Sequence, residues 1–316
     1  MKNNNKLKNL LLTIAVIVIL TILAIFGKQL DIDNIIVDNS LDIGILPSNF
    51  EISDESNLQI IYFYVGDADC ILIKDNKDVM LIDTGNDADG KYLVEYLKRL
   101  GITEINYLIG THEHEDHIGG MDYIIREFDI DNIYLPKIKD ESSNQYRQVI
   151  SEKDKKGYVI QTPIIGDTWN IGDSECIVKY VGEKESNPNN NSIVIELENN
   201  NIKYLFTGDI EEKVERTITW DSIDVLKVAH HGADTSTSEK FLKEVFPERD
   251  KLKSKITIIS TGNRDNLLDE IILNRLKGIE NNKIYITRDV GSIYITNDNG
   301  INIVEILKTK VDSRQH

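Results

Sequence analysis

The segment THEHEDHIGG, residues 111 to 120, constrains the fold more than any other feature of the sequence. It follows the apolar run INYLIG, which is typical of a strand, so its polar side chains emerge where a buried strand ends. Alternate residues after a strand point to one side, which groups His112, His114 and Asp116, and a turn would add His117. Imidazole nitrogens and a carboxylate are ligands that zinc-like divalent ions prefer. We therefore expect this loop to bind metal.

A second histidine segment, AHHGADTSTS, follows another strand-like run, IDVLKV. Five of the six histidines lie in these two segments, which argues against accidental histidines on a solvated loop. Because adjacent strand residues face opposite sides, we expect only one of His230 and His231 to bind metal and the other to meet the substrate. Between the two segments, LFTGD puts Asp209 at a strand end. There it either bridges two ions or caps the helix predicted for EEKVERTI.

The rest of the pattern predicts an α/β fold with two mixed sheets. Strands are indicated by LQIIYFYV, CILIKD, VMLIDTG, ITIIST and the run of short segments from residue 284 to residue 306. Helices are indicated by GKYLVEYLKRLG, GGMDYIIREF, EEKVERTI and FLKEVF, and a hairpin by NNSIVIELENNNIKYLFTGD. Strands come first in pairs and then alternate with helices, so helices should cover the outer faces of two stacked sheets.

The N-terminus predicts a membrane anchor. Residues 10 to 26 carry no charge, and as a helix this run would span about 26 Å, the short end of what a bilayer needs. Lysines precede the run and aspartates follow it, which puts residues 1 to 9 in the cytoplasm and the body outside. A cleaved signal peptide is the alternative, but no small-x-small cleavage site follows. We expect a single-pass signal anchor over residues 10 to 27, a linker over 28 to 57 and a hydrolase domain over 58 to 316.

The motifs VGDAD, LIDTG, THEHEDHIGG, NNNS, FTGD and AHHGADTSTS, in this order, resemble the metallo-β-lactamase fold superfamily. The likeness covers residues 58 to 308 and is strongest to the ComEC-like branch, meaning the extracellular domain of a competence-related DNA-uptake protein and its free-standing relatives. It implies an αββα four-layer sandwich and a phosphodiesterase or nuclease. The reaction would use a hydroxide that bridges two divalent metal ions, zinc or manganese.

The resemblance also implies a role for each motif residue. One ion would be held by the first two histidines of the cluster, the second by the neighbouring aspartate, the third histidine and one histidine of the later pair, with the FTGD aspartate as the bridge. The implied ligands are His112, His114, Asp116, His117, Asp209 and His231. The implied catalytic residues are Asp116 and His230, and Asp83 would orient a ligand imidazole through its other ring nitrogen. The implied substrate-binding residues are Asn191, Ser192 and Ser236.

The chain departs from the family pattern in three places. Residues 189 to 192 are Asn-Asn-Asn-Ser where many members have a third histidine for the first ion, so that site should be more open. His114 replaces the middle aspartate of the ComEC-like HxDxDH stretch, which favours a zinc-type ligand set. The Tyr-Gly-His-Pro segment common in those relatives is absent from STGNRDNLLDE.

Three functions stay open on the sequence alone. The first is a membrane-anchored extracytoplasmic phosphoester hydrolase; DNA is the substrate the family suggests, but a net charge of -17 disfavours it against a smaller phosphodiester. The second, opposed by the ComEC-like HHG segment, is a lactamase, lactonase or thioester hydrolase. The third is a non-enzymatic metal-binding module, which the intact ligand set opposes. One membrane segment cannot form a translocation channel, and the sequence identifies no protein partner.

Overall fold

The structure is a computed structural model, and the residues it describes are 46–47, 49–52, 58–138, 143–263, 267–298 and 300–307. They belong to a compact unit that runs from Gly44 to His316. The anchor predicted over residues 10 to 27 lies outside the described residues. Within the described ranges, no helix combines the length and the apolar character needed to cross a membrane.

Strands and helices alternate through most of the described chain. The strands are β1 (Leu58–Tyr62), β2 (Ile71–Asp75), β3 (Asp78–Ile82), β4 (Glu104–Ile109), β5 (Asp129–Tyr134), β6 (Ile160–Gln161), β7 (Thr168–Ile171), β8 (Ser174–Tyr180), β9 (Val194–Asn199), β10 (Ile202–Phe206), β11 (Val225–Lys227), β12 (Lys255–Ile259), β13 (Asn282–Ile286), β14 (Ser292–Asp298) and β15 (Ile301–Leu307). The α-helices are α1 (Asp87–Arg99), α2 (Glu115–Ile118), α3 (Met121–Glu127), α4 (Asn144–Lys156), α5 (Glu212–Glu215), α6 (Glu239–Val245), α7 (Glu270–Lys277) and α8 (Thr287–Val290). Short 3-10 turns cover Pro188–Asn191, Ala229–Gly232 and Glu248–Asp250.

The described strands form two mixed sheets. The first has the order β15-β14-β1-β2-β3-β4-β5-β6 and the second the order β13-β12-β11-β10-β9-β8-β7. Strands β3 to β6 run parallel in the first sheet, as do β10 to β13 in the second. Parallel strands joined by crossover connections bring their carboxyl ends to one edge of the sheet. The loops after β3, β4, β10 and β11 therefore meet at one edge of the sandwich.

Side-chain alternation along the strands separates three apolar layers. In β3, Met80 and Ile82 pack between the two sheets, whereas Val79 and Leu81 pack on the other face with helix residues such as Leu93. A third layer joins the outer face of the second sheet to α6 and α7. The structure thus confirms the predicted αββα four-layer sandwich.

The folded body begins before the predicted start at residue 58. Leu46 is completely buried in the layer between the first sheet and its helices. Phe50 packs edge-on against Tyr294, with ring centroids 5.1 Å apart. Neither a strand nor a helix repeat marks this segment, so its apolar residues were assigned to the linker over residues 28 to 57.

Helices α4 and α7 were not predicted, and α8 interrupts the run of strands predicted from residue 284. The sequence of α4 is polar and buries only Val149, so it carries little helical periodicity. Its termini are well defined, because the Ser143 hydroxyl accepts a hydrogen bond from the N–H of Tyr146 and Gly157 ends the helix with a left-handed backbone.

A close glycine contact ties α1 to the histidine segment. A Cβ on Gly120 would lie 2.5 Å from the carbonyl oxygen of Thr84 and 2.8 Å from the Cα of Gly90. The N–H of Thr84 donates to the carbonyl oxygen of His117 at 2.7 Å. The absence of a side chain at residue 120 therefore lets the turn after β3 lie directly against the turn after β4.

Candidate metal centre

The histidine segment leaves β4 and turns almost at once. His112 is fully buried, and His114 precedes the first residue of α2. Asp116 and His117 lie in the single turn of α2, and the Asp116 side chain is 29 % exposed while that of His117 is fully buried. The turn expected at His117 is therefore this short helix, which directs both side chains inward.

Four of the predicted ligands converge on one point. The Nε2 atom of His117 lies 3.1 Å from Asp209 Oδ2 and 3.6 Å from Asp116 Oδ2. The Nε2 atom of His231 lies 3.1 Å from Asp116 Oδ2 and 3.6 Å from Asp209 Oδ2. One donor atom from each of the four residues lies within 4.8 Å of the others. Two imidazoles and two carboxylates at this spacing can hold a zinc-like ion.

The other two predicted ligands lie beside this group. His112 Nε2 and His114 Nδ1 are 3.0 Å apart, and His112 Nε2 is 3.8 Å from Asp209 Oδ2. Asp209 thus faces both the four-residue group and the His112–His114 pair. Its second oxygen, Oδ1, is buried and has no hydrogen-bond partner within the described part of the chain. A buried carboxylate with an unpartnered oxygen beside imidazole nitrogens fits a metal-binding donor set.

Asp209 does not cap the helix that follows it, which was the alternative open at the level of sequence. The residue before the first turn of α5 is Glu211. Asp209 instead follows Gly208, whose backbone has a φ of +52°, and the N–H of Asp209 donates to the Ser192 hydroxyl at 3.0 Å. The sharp turn at Gly208 directs the carboxylate toward the histidines.

The buried ligand rings are oriented through their second nitrogens. His117 donates from Nδ1 to Asp83 Oδ2 at 2.8 Å, and His231 donates from Nδ1 to the Ser260 carbonyl oxygen at 2.9 Å. Asp83 also accepts from the N–H and the hydroxyl of Thr111, at 2.7 and 2.8 Å. With each Nδ1 engaged, the Nε2 atoms of both rings face the carboxylates.

Strand alternation, which the sequence analysis assumed, does not determine the orientation of His230 and His231. His230 and His231 have φ values of +51° and +53° inside a 3-10 turn, so the strand alternation has already ended. Asp83 has a φ of +58°. Left-handed backbone is uncommon for residues other than glycine and concentrates at functional sites. The turn buries His231 and leaves His230 partly exposed.

Burial and nearby carboxylates act in opposite directions on the histidines. Burial lowers the pKa of His112 well below its usual value, and the neighbouring His117 lowers it further, so that His112 is neutral. Burial also disfavours charge on His231, but Asp209 and Asp116 outweigh it and raise the pKa of His231 to about 9. A divalent cation would supply the positive charge that these carboxylates otherwise draw from protons.

The asparagine segment that replaces a third histidine contacts the exposed member of the pair. Asn189 Nδ2 lies 3.2 Å from His230 Nε2, and Asn189 Oδ1 is buried without a hydrogen-bond partner among the described residues. On the other side of the ring, His230 Nδ1 lies 3.0 Å from the Thr235 hydroxyl. The ring of His230 thus has a contact at each nitrogen, from two residues that lie in the quoted motifs but were given no individual role from the sequence.

Substrate contact by three predicted residues has no support in the geometry. The residues Asn191, Ser192 and Ser236 are all fully buried. Asn191 Nδ2 lies 3.3 Å from Glu113 Oε1, and the Ser192 hydroxyl donates to the Asn189 carbonyl oxygen at 2.7 Å. Their polar groups therefore brace the loops around the centre. Polar residue types at strand ends do not distinguish such bracing from a substrate contact.

Sequence reasoning missed a buried ion pair next to the centre. Lys227 Nζ lies 2.5 Å from Asp69 Oδ2, and the two side chains are 1 % and 2 % exposed. Both residues lie in motifs noted above, VGDAD and the strand before AHHG. The signal that could have found them is a lysine at the end of an otherwise apolar strand, since a buried lysine requires a partner.

A comparison with known proteins shows that the segment carrying all the candidate ligands matches one family. Residues 63–252 match the model of the metallo-beta-lactamase superfamily. ComE operon protein 3 of Bacillus subtilis (strain 168) is 27% identical over 232 residues, which cover 67% of this chain and 29% of that protein. Recombination protein 2 of Haemophilus influenzae is 30% identical over 205 residues, covering 63% and 23%. Ribonuclease J of Mycoplasma genitalium is 29% identical over 153 residues, covering 48% and 26%.

The match spans less than a third of the length of each of these curated relatives. Among solved structures, the metallo-beta-lactamase fold protein YhfI from Bacillus subtilis has a TM-score of 0.48 at 10% identity, covering 74% of this chain and 98% of that one. The Rm3 metallo-beta-lactamase has a TM-score of 0.42 at 12% identity, covering 54% and 75%.

Replacing Asp209 with asparagine should remove more bound zinc than replacing His114 with alanine. Asp209 lies beside donor atoms of both groups, whereas His114 contacts only the group that includes His112. Elemental analysis of the full chain after zinc loading measures both; we expect His114→Ala to lose about one equivalent and Asp209→Asn to lose more than about one, because it weakens both groups. The exposed neighbour Glu115 provides a control, Glu115→Gln, that should bind as the unmodified chain does. Equal zinc content in Asp209→Asn and His114→Ala would contradict the shared role.

Proposed function

This chain belongs to the metallo-beta-lactamase superfamily, and we propose that it is a metal-dependent hydrolase of the ComEC-like branch that cleaves phosphodiesters. The observation that carries the proposal is the carboxylate of Asp209, which faces the nitrogens of His112, His117 and His231 from a buried position. Two divalent ions, zinc or manganese, would supply Lewis acidity for the attacking water and for the phosphate oxygens when bound to this donor set.

Asp116 and His230 each combine a reactive side chain with partial exposure. The Asp116 side chain is 29 % exposed, and the carboxyl pKa lies well below its usual range because the imidazoles of His117 and His231 outweigh the effect of burial. Asp116 is therefore an ionised acceptor that can orient the attacking water. We propose that His230 faces the leaving group.

We assign to His230 the delivery of a proton to the leaving oxygen. Its Nδ1 is held by the hydroxyl of Thr235, and its Nε2 contacts only the side-chain amide of Asn189 among the described residues. An amide can present either its NH2 group to a neutral ring or its oxygen to a protonated one. The unpartnered Oδ1 of Asn189 would serve the second case. Asn189 can thus accompany His230 through both protonation states.

The relatives and the charge of the chain bear on the substrate in opposite ways. The names ribonuclease J and recombination protein 2 belong to proteins of nucleic-acid processing, which supports a phosphodiester bond. The formal net charge of -17 opposes the approach of a long polyanion at low ionic strength. We therefore propose a small phosphodiester in preference to duplex DNA.

Hydrolysis of bis-p-nitrophenyl phosphate tests the reaction class. We expect the full chain to turn over this diester with zinc or manganese, to stop when a chelator removes the metal and to resume when metal is restored. Parallel assays with nitrocefin and an acyl lactone provide the comparison. Turnover of these substrates by a metal-loaded chain that leaves the diester intact would contradict the proposal and favour a lactamase or lactonase.

Replacing His230 with glutamine should slow hydrolysis in proportion to the need for a proton on the leaving oxygen. For a diester with an alkyl leaving group we expect kcat to fall by about 10²- to 10⁴-fold, as for loss of a general acid. A p-nitrophenyl ester should be nearly unaffected, because nitrophenolate leaves without protonation. Metal content serves as the control, since His230 is not among the proposed ligands. Equal slowing of both substrates would contradict the proposed role of His230 as the proton donor.

We also propose that residues 10 to 27 anchor the protein in the cell membrane with the hydrolase domain outside the cytoplasm. The uncharged run and the lysines before it support this orientation. The full chain should then stay with membranes during alkaline carbonate extraction, and protease added to cells stripped of their wall should digest its body. Release of intact protein by carbonate would speak against an anchor.

A further inference from the structure

A buried lysine lies directly behind the candidate metal centre. Lys227 is the last residue of β11, and among the described lysines only Lys255 is comparably buried. Removing an ammonium group from water is strongly unfavourable unless a partner compensates it. Asp69 is that partner, with Oδ2 2.5 Å from Nζ, and the ammonium group also donates to the Val228 carbonyl oxygen at 3.0 Å.

Asp69 connects this lysine to the loops that carry the candidate ligands. Its N–H donates to the Asp116 carbonyl oxygen at 3.0 Å, and its own carbonyl accepts from the N–H of Gly85 at 2.8 Å. Its carboxylate lies behind two ligand rings, with Oδ1 3.7 Å from His231 Nδ1 and Oδ2 4.0 Å from His117 Nδ1. Within the described ranges, Oδ1 has no hydrogen-bond partner. The carboxylate is therefore close enough to compete for ring protons.

The competition would matter most at His231. Its Nδ1–H donates to a neutral acceptor, the Ser260 carbonyl oxygen, at 2.9 Å. An ionised carboxylate is a stronger acceptor than a neutral carbonyl, so an unpaired Asp69 would draw the Nδ1–H to itself. A ring turned in that way would move its Nε2 away from Asp116. The ammonium group of Lys227 prevents this, because it occupies Asp69 and neutralises its charge.

We propose that Lys227 is a positioning residue that acts through Asp69. The Lys227 ammonium group holds the Asp69 carboxylate in place, with Oδ1 3.7 Å from His231 Nδ1. His231 then keeps its hydrogen bond to the Ser260 carbonyl oxygen, and the His231 Nε2 atom stays directed at the metal position. The inference rests on the proposed metal-dependent function, and it concerns the affinity for metal before any effect on hydrolysis.

Lys255 separates this role from a purely structural one. Its side chain is 2 % exposed, and it lies at the first residue of β12, the end of the strand opposite to Ser260. Its Nζ donates to the carbonyl oxygens of Asp250, Lys253 and Glu280, at 2.9, 3.3 and 3.3 Å. A substitution at either lysine should weaken the fold, but only one at Lys227 should disturb the ligand rings. Lys255→Gln is therefore the matched control.

The test measures zinc affinity of the full chain by chelator competition and records the visible spectrum after cobalt loading. We expect Lys227→Gln to weaken zinc binding by about tenfold or more, because the unpaired Asp69 then competes for the His231 ring. Asp69→Asn should weaken it as well, because it leaves the buried Lys227 ammonium group unpaired behind the cation. The double variant Asp69→Asn/Lys227→Gln leaves neither charge unpaired and should bind within about threefold of the unmodified chain, as should Lys255→Gln. The cobalt spectrum should change in Lys227→Gln and return in the double variant.

Zinc affinity and a cobalt spectrum unchanged in a folded Lys227→Gln variant would overturn the proposal. Where neither single variant folds, the charge-neutral double variant decides: retention of zinc supports the proposal, and a loss of about tenfold or more overturns it. An unmodified chain that binds neither zinc nor manganese overturns this inference and the proposed function together. Zinc binding without diester hydrolysis overturns the proposed function alone, and the comparison of variants still decides the role of Lys227.

Discussion

The carboxylate of Asp209 is the constraint around which the rest of the structure is arranged. It is 1 % exposed, and its ion-pair partners among the described residues are histidines only. A buried carboxylate needs positive charge, and imidazoles supply it only as protonated rings or as ligands of a cation. Both sheets contribute to meeting this need, because His112 and His117 follow β4 of the first sheet, whereas Asp209 and His231 follow β10 and β11 of the second.

Much of the fold and part of the centre could be predicted from the sequence, because both depend on local patterns. Alternating strands revealed the two sheets, and histidines directly after strands revealed residues that do meet in space. Packing without a repeat escaped prediction, as Leu46 shows. The surroundings of a side chain escaped it too: Ser192 is a polar residue at the right place in the order of motifs, yet it is fully buried. The sequence showed Lys227 only as a single lysine in a predicted strand, because its partner Asp69 lies more than 150 residues earlier in the chain.

The centre combines buried residues with residues that reach the surface in part. His112, His117 and His231 are buried, whereas Asp116 and His230 reach the surface in part. This division suits a hydrolase, in which bound metal must be held rigidly while water and substrate exchange. The backbone is left-handed at three residues near the centre, Asp83, His230 and His231. Each follows closely on a strand end, where a sharp turn is needed to bring a side chain back over the edge of the sheet.

The candidate metal ligands come from both sheets, and this arrangement affects the lifetime of the folded protein as well as its chemistry. A metal ion bound by Asp116 from one half of the sandwich and His231 from the other would act as a clasp between the halves, and it would favour the folded chain by mass action. Chains that lack the ion would open more often and meet proteases while open. The supply of metal would then govern how long each molecule survives, so that scarcity would reduce the amount of protein as well as its rate of turnover.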